Sequence, residues 1–297
     1  NQWQWPADVL ATRGSVQGQT INARPCLTIN KLPQHVRQVT NDQRQNRPSA
    51  KVIPVDDDAD VEIADIFNGM IRHIEYISDA DVAYDTACEN QVSYGEGYIR
   101  LLTEYSDDDT FEQDIKIGRV RNSFSVYMDP TIQDPTGADA KWCFVTEDLT
   151  KAEYTRLYPD AAPITTLQSL GVGDQSISNW LNEDTIRIAD YYYVDYDRAT
   201  LNQYPGNQTA FNGTPEDKML RGMFGKPVKS RESDRPRVKY CKINGYEILA
   251  ENEWAGKWIP VIRIVGNEFE VDGRLYVSGL VRNAKDAQRM YNYWVSQ

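Results

Sequence analysis

Catalysis would have to draw on a short supply of reactive side chains. Asp56, Asp58 and Asp60 fill the first three ligand positions of a calcium loop, but Val61 stands where glycine is needed and Phe67 where a bidentate glutamate is needed. The simpler reading is a solvated helix start, with Asp57 or Asp58 as cap. Asp107, Asp108 and Asp109 fit a strand turn. His35 and His73 are isolated, and Cys26, Cys88, Cys143 and Cys241 form no close pair, so a zinc site is not expected; two disulfides could form, but without a secretory signal the cysteines read as four reduced, mostly buried thiols. Gly222, Gly225, Lys226 and Pro227 miss the spacing of a phosphate loop, with proline where Ser or Thr should hold magnesium. No Gly-x-Ser-x-Gly elbow occurs. Neither cofactor nor catalytic set is expected.

Charge says more. The 297 residues carry 32 Lys and Arg against 44 Asp and Glu, a net −12, which opposes a role in coating nucleic acid. Between Lys218 and Lys242, however, nine cations face only Glu232 and Asp234. This local +7 includes Lys226, Lys229, Arg231, Arg235, Arg237 and Lys239. It is either an ordinary solvated arm or a docking surface for an acidic partner or a nucleic-acid backbone.

The elements that would position these groups follow from periodicity. A lead-in is expected over 1–30, with a helical pattern opening at Leu27 and placing Leu32, Val36 and Val39 on one face. A short strand is expected at 51–55. Ile63, Ile66, Phe67, Met70, Ile71, Ile74 and Ile77 make an apolar stripe of period 3.6. Ser78 and Asp81 suggest a capping pair for a helix over 80–93, stopped by Gly95 and Gly97. The period then becomes two. Segments 98–105, 111–120, 123–128 and 141–147 read as an antiparallel meander. Thr150 and Glu153 cap a short helix, 160–180 is loop-like, 186–196 is a strand and 197–215 an exposed loop. Asn244-Gly245 signals a hairpin with a type I′ turn. A strand is expected over 259–265. Leu280, Ala284, Ala287, Tyr291 and Trp294 form a heptad-like stripe suited to helix packing. The whole is an α+β pattern without a membrane-spanning run or a signal peptide. The missing initiator Met and the uncapped last helix suggest a piece of a longer protein.

Several phrases, in order, carry a resemblance: Arg24-Pro25-Cys26-Leu27-Thr28-Ile29-Asn30-Lys31-Leu32 with the stretch at 41–48, the stretch at 85–97, Tyr127-Met128-Asp129-Pro130 with Lys141-Trp142-Cys143-Phe144, Trp258-Ile259-Pro260-Val261 with Gly266, and the stretch at 278–292. The chain resembles the portal proteins (head-to-tail connectors) of short-tailed bacteriophages. That resemblance implies a homo-oligomeric ring, typically a dodecamer, at a capsid vertex of the virion, assembled in the host cytoplasm. It implies contacts with terminase, tail adaptor, coat and scaffolding proteins, and passage of double-stranded DNA. It maps 1–215 to a wing, 216–275 to a first stem helix and clip, and 276–297 to the start of a second stem helix. Lys226, Lys229, Arg231, Arg235, Arg237 and Lys239 are then expected to dock partners or touch DNA. Leu280, Ala284, Ala287, Tyr291 and Trp294 are expected to pack subunits. The competing reading is a metal-dependent nuclease using the Asp56–Asp60 cluster; a third is another virion or tail-adaptor protein.

Overall fold

A computed structural model describes residues 27–47, 49–55, 60–161, 180 and 184–296. Among these the chain runs α1 (Leu32–Gln45), α2 (Val61–Ile77), α3 (Ala80–Tyr94), β1 (Glu96–Tyr105), β2 (Gln113–Arg119), β3 (Val126–Met128), β4 (Trp142–Thr150), α4 (Lys151–Leu157), β5 (Thr185–Gln203), β6 (Thr209–Phe211), α5 (Pro215–Phe224), β7 (Lys229–Ile243), β8 (Ile248–Trp254), β9 (Val261–Val265), β10 (Asn267–Val271), β11 (Arg274–Ser278) and α6 (Leu280–Ser296). Helices and antiparallel sheets make it α+β. It forms two compact units, Asn1–Ser123 with Val261–Gln297, and Phe124–Pro260.

The first unit is centred on α3. Ala83 and Ala87 are buried against Ile99, with Ile117, Ile262 and Ile264 around them. These small residues let the helix approach the sheet β2-β1-β9 closely. At Gly97 a side chain would collide with the Ala87 carbonyl, so only glycine fits. Gly95, at φ 105°, ends α3 in the left-handed conformation that β-carbons disfavour.

The second unit is a six-stranded sheet in the order β3-β4-β5-β7-β8, with β6 on the far end of β5. β5 and β7 pair from Ala189↔Ile243 to Gln203↔Lys229. Leu149, Tyr154, Ile186 and Ile188 form its core, and Thr150 caps α4 by accepting the Glu153 N–H.

Several expectations need correction. The helical pattern opening at Leu27 begins only at Leu32, because side chains of α6 take the backbone N–H groups of Leu27 and Ile29 before it. Segment 51–55 joins no sheet; the Asn68 amide takes both backbone groups of Val52. Asp60 caps α2 by accepting the Glu62 N–H, while Asp57 and Asp58 lie outside the described residues. Ser78 caps nothing at α3: its hydroxyl donates to the Ile74 carbonyl and accepts the Ile117 N–H, and the cap position is Asp79. The expected meander is split, with β1–β2 in one sheet and β3–β4 in another, because the chain changes unit after Ser123. The exposed loop expected from 197 starts later, since β5 runs on to Gln203 against β7. The loop expected over 160–180 lies mostly outside the described residues.

The hairpin turns also exchange roles. Asn244 and Gly245 belong to a loop between Ile243 and Ile248, and only Gly245 has positive φ. Asn244 is buried there; its amide donates to Tyr154 Oη at 2.7 Å and its carbonyl accepts the N–H groups of Tyr246 and Glu247. The two-residue turn with both φ positive is Asp272-Gly273, joining β10 to β11.

Candidate docking surfaces

The basic segment is mostly strand. Lys229, Arg231, Arg235, Arg237 and Lys239 are all odd-numbered on β7, and side chains two apart share a face. The register sets this row beside Asp195 and Asp197 of β5: Asp195↔Arg237, Asp197↔Arg235 and Tyr193↔Lys239. Lys239 Nζ lies 2.6 Å from Asp195, and Arg237 lies 3.1 Å from Asp197 and 3.5 Å from Glu253. The hydrogen bond from Lys239, with its charge, holds the Asp195 carboxyl below the usual range and raises the Lys239 ammonium in return. Such exposed pairs add little stability, because solvent screens them, but they cancel surface charge. The local +7 of the sequence is thus partly neutralised in space. Lys226, Lys229 and Arg231 have no acidic partner among the described residues. Arg235 lies over the Phe211 ring, 5.2 Å from its centroid. Lys242 points to the other face, 3.2 Å from Asp190, which also accepts the Tyr240 hydroxyl at 2.8 Å.

The helix before this strand is anchored by a buried acid. Asp217 accepts hydrogen bonds from Asn202 at 2.8 Å, Tyr204 at 2.7 Å and the Gly213 N–H at 3.1 Å, and pairs with Arg221 at 2.9 Å. The Asn202 bond foremost, with Tyr204, Gly213 and Arg221, outweighs burial and holds the carboxyl at about 2. α5 therefore seats on charge and points Met219 and Met223 outward.

α6 is built the same way. Leu27, Ile29 and Lys31 donate their N–H groups to Ser296 Oγ, Asn292 Oδ1 and Gln288 Oε1, at 3.0, 3.1 and 3.0 Å. Gln288 also donates to the Ile29 carbonyl. The match is geometric: two extended residues advance about 6.6 Å and four helical residues about 6 Å. The inward stripe of α6 is thus polar and buried, Asn292 being 1% exposed. The apolar stripe lies round the helix from it: Tyr291 and Trp294 are exposed, as is Ala287, while Leu280 and Ala284 are half-buried.

A profile of the phage P22-like portal protein family matches residues 1–297. The chain belongs to that family. It is 27% identical over 306 residues to the portal protein of Acyrthosiphon pisum secondary endosymbiont phage 1, covering 99% of this chain and 42% of that protein. The chain therefore spans less than half the length of this relative. Portal proteins are structural rather than enzymatic. Of the acidic cluster expected for the nuclease reading, Asp56 and Asp58 lie outside the described residues and Asp60 serves as the α2 cap. No helix among the described residues is long and apolar enough to cross a membrane.

Two of the features above escaped sequence reasoning. The Asp195 and Asp197 counter-row had a visible signal, two acids two apart at the end of a strand pattern. The polar inward stripe Gln288, Asn292, Ser296 had one too, at i, i+4, i+8.

Proposed function

We propose that this chain supplies the wing, first stem helix and clip of a phage portal subunit, and the start of its second stem helix. The segments are 1–215, 216–275 and 276–297. The full protein forms a ring of twelve copies at one capsid vertex of the virion, built in the host cytoplasm with coat and scaffolding proteins. DNA enters through it during packaging and leaves through it on ejection. The observation that carries the reading is the family match along all 297 residues. The acidic balance of the chain supports it, because a strongly cationic wall would hold phosphates and slow a sliding duplex.

Within this function the outward stripe Leu280, Ala284, Ala287, Tyr291 and Trp294 packs subunits. On β7, the strand cations Lys229, Arg231 and Arg235 meet terminase or a tail adaptor, while Arg237 and Lys239 are taken up by their acidic neighbours. Purified full-length protein imaged by electron microscopy should show closed rings; monomers only, at micromolar concentration, would overturn the reading. Arg231→Glu with Arg235→Glu should leave rings intact but give empty or tailless particles. Packaging and tail joining at wild-type efficiency would remove the docking role from β7.

A further inference from the structure

α2 repeats in part the inversion seen in α5 and α6. Its buried and half-buried positions are Ala64, Asn68, Ile71, Ile74, Glu75 and Ile77. Two of these are polar and engaged: Asn68 holds both backbone groups of Val52, and Glu75 accepts the Tyr84 hydroxyl at 3.2 Å. Of the stripe that sequence periodicity assigns to a core, Ile71, Ile74 and Ile77 are half-buried, and the remainder lies round the helix from the inward face. Ile63, Ile66, Phe67 and Met70 are each more than half exposed. Rolling α2 to bury those four side chains would break the Asn68 bonds, so the hydrogen bonds hold that part of the apolar side outward. Four large apolar side chains on one exposed helix face are an unusual surface for a chain that works alone.

One flank of the stripe carries charge. Around its N-terminal half stand Asp60, Glu62 and Asp65, with no cation before Arg72. The complementary face is on α5. There Met219 and Met223 are 62% and 64% exposed, Val228 follows at 64%, and Lys218 and Lys226 flank them. Neither lysine has an acidic partner among the described residues. Asp217 and Arg221, locked to Asn202, Tyr204 and Asn212, fix which side of α5 faces out. A closed ring needs a head-to-tail contact between two different patches of one chain, and an apolar face with an acidic rim against an apolar face with a basic rim fits that requirement.

We propose that the α2 face of one copy docks on the α5 face of the next copy in the ring. This rests on the ring reading above and names the residues that would make the ring close. Phe67 and Met70 pack with Met219, Met223 and Val228, while Glu62 and Asp65 meet Lys218 and Lys226.

The test uses full-length protein in two differently tagged forms, Met70→Cys in one and Met223→Cys in the other, mixed before assembly. A short bismaleimide should join the two tags only once rings have formed, as followed by native mass spectrometry. Val271→Cys replaces Met223→Cys as the exposed control and should not join. A second arm reverses charge. Glu62→Lys with Asp65→Lys should raise the concentration needed for rings about tenfold, and adding Lys218→Glu with Lys226→Glu should restore it. Rings that form without a 70–223 link above the control, or that tolerate the reversal, overturn this contact while leaving the ring reading in place. Wild-type protein that forms no ring removes the ring reading itself, and this contact falls with it.

Discussion

α3 and α6 belong to the same compact unit and teach opposite lessons about amphipathic helices. α3 has scarcely any apolar stripe, yet it is the core helix: Ala80, Ala83 and Ala87 are buried, and the sheet closes on them. α6 has a clear stripe, yet it turns that stripe outward and buries Gln288, Asn292 and Ser296. Small residues bring α3 close enough for dispersion contacts along its length. α6 is held instead by hydrogen bonds to an extended segment, which fix its rotation as well as its position. A strong stripe therefore marks where apolar surface is concentrated, and the polar residues round the helix decide whether this chain's own core covers it.

The comparison breaks most readily on the α3 side. Gly97→Ala places a β-carbon on the Ala87 carbonyl, a backbone atom that cannot rotate away. A loss of about 3 kcal/mol is expected, the upper part of the overpacking range, read as a lower urea midpoint; an unchanged midpoint would show that the α3–β1 approach is looser than described. On the inner face of α6, Asn292→Ala leaves the half-buried Ile29 N–H without its acceptor. That should cost about 1–3 kcal/mol and speed hydrogen exchange at Ile29, whereas a purely apolar account of α6 packing expects no such exchange.

α5 offers the same contrast with a titratable group. Asp217 keeps its carboxylate to about 2, against an ordinary 3.8. A depressed carboxyl stabilises the fold fully above its unfolded value, and that contribution fades as pH falls through its folded value. The wild type should thus lose stability from this group between pH of about 4 and about 2. Asp217→Asn should lower the melting temperature by several degrees at pH 7. The difference from wild type should shrink as the solution is acidified through that window; a difference independent of pH would assign the loss to shape rather than charge.

What could be read in advance followed from local pattern. Period 3.6 located α2 and α6, and period two located β1, β2 and β4. The Thr150–Glu153 cap was readable because all its atoms lie within one turn. The inner faces were not, because their partners are remote: Ile29 and Asn292 are 263 positions apart. The turns show the limit of a local signal. Asn244-Gly245 and Asp272-Gly273 carry equivalent turn chemistry, yet only the second is a two-residue turn. Asn244 is drawn inside by the Tyr154 hydroxyl, ninety positions away, and its loop lengthens to let it reach. The basic row on β7 was visible as charge, but its partial neutralisation depended on pairing with β5, which no count along the chain contains.

The smallest effect on the folded chain should come from Trp294, on the outer face of α6. It is 68% exposed, so its removal uncovers little that was buried. Trp294→Ala should change the unfolding free energy of the chain by no more than about 0.5 kcal/mol. If the stripe packs subunits, the same substitution in the full-length protein should weaken ring formation far more than it weakens folding, because a large aromatic buried in an interface is a typical hot spot. The two measurements together set the outer face against the inner one: Asn292→Ala should act on folding first, Trp294→Ala on assembly alone. A Trp294→Ala chain that unfolds easily would place this residue in the chain's own core, and one that forms rings normally would take Trp294 out of the subunit contact.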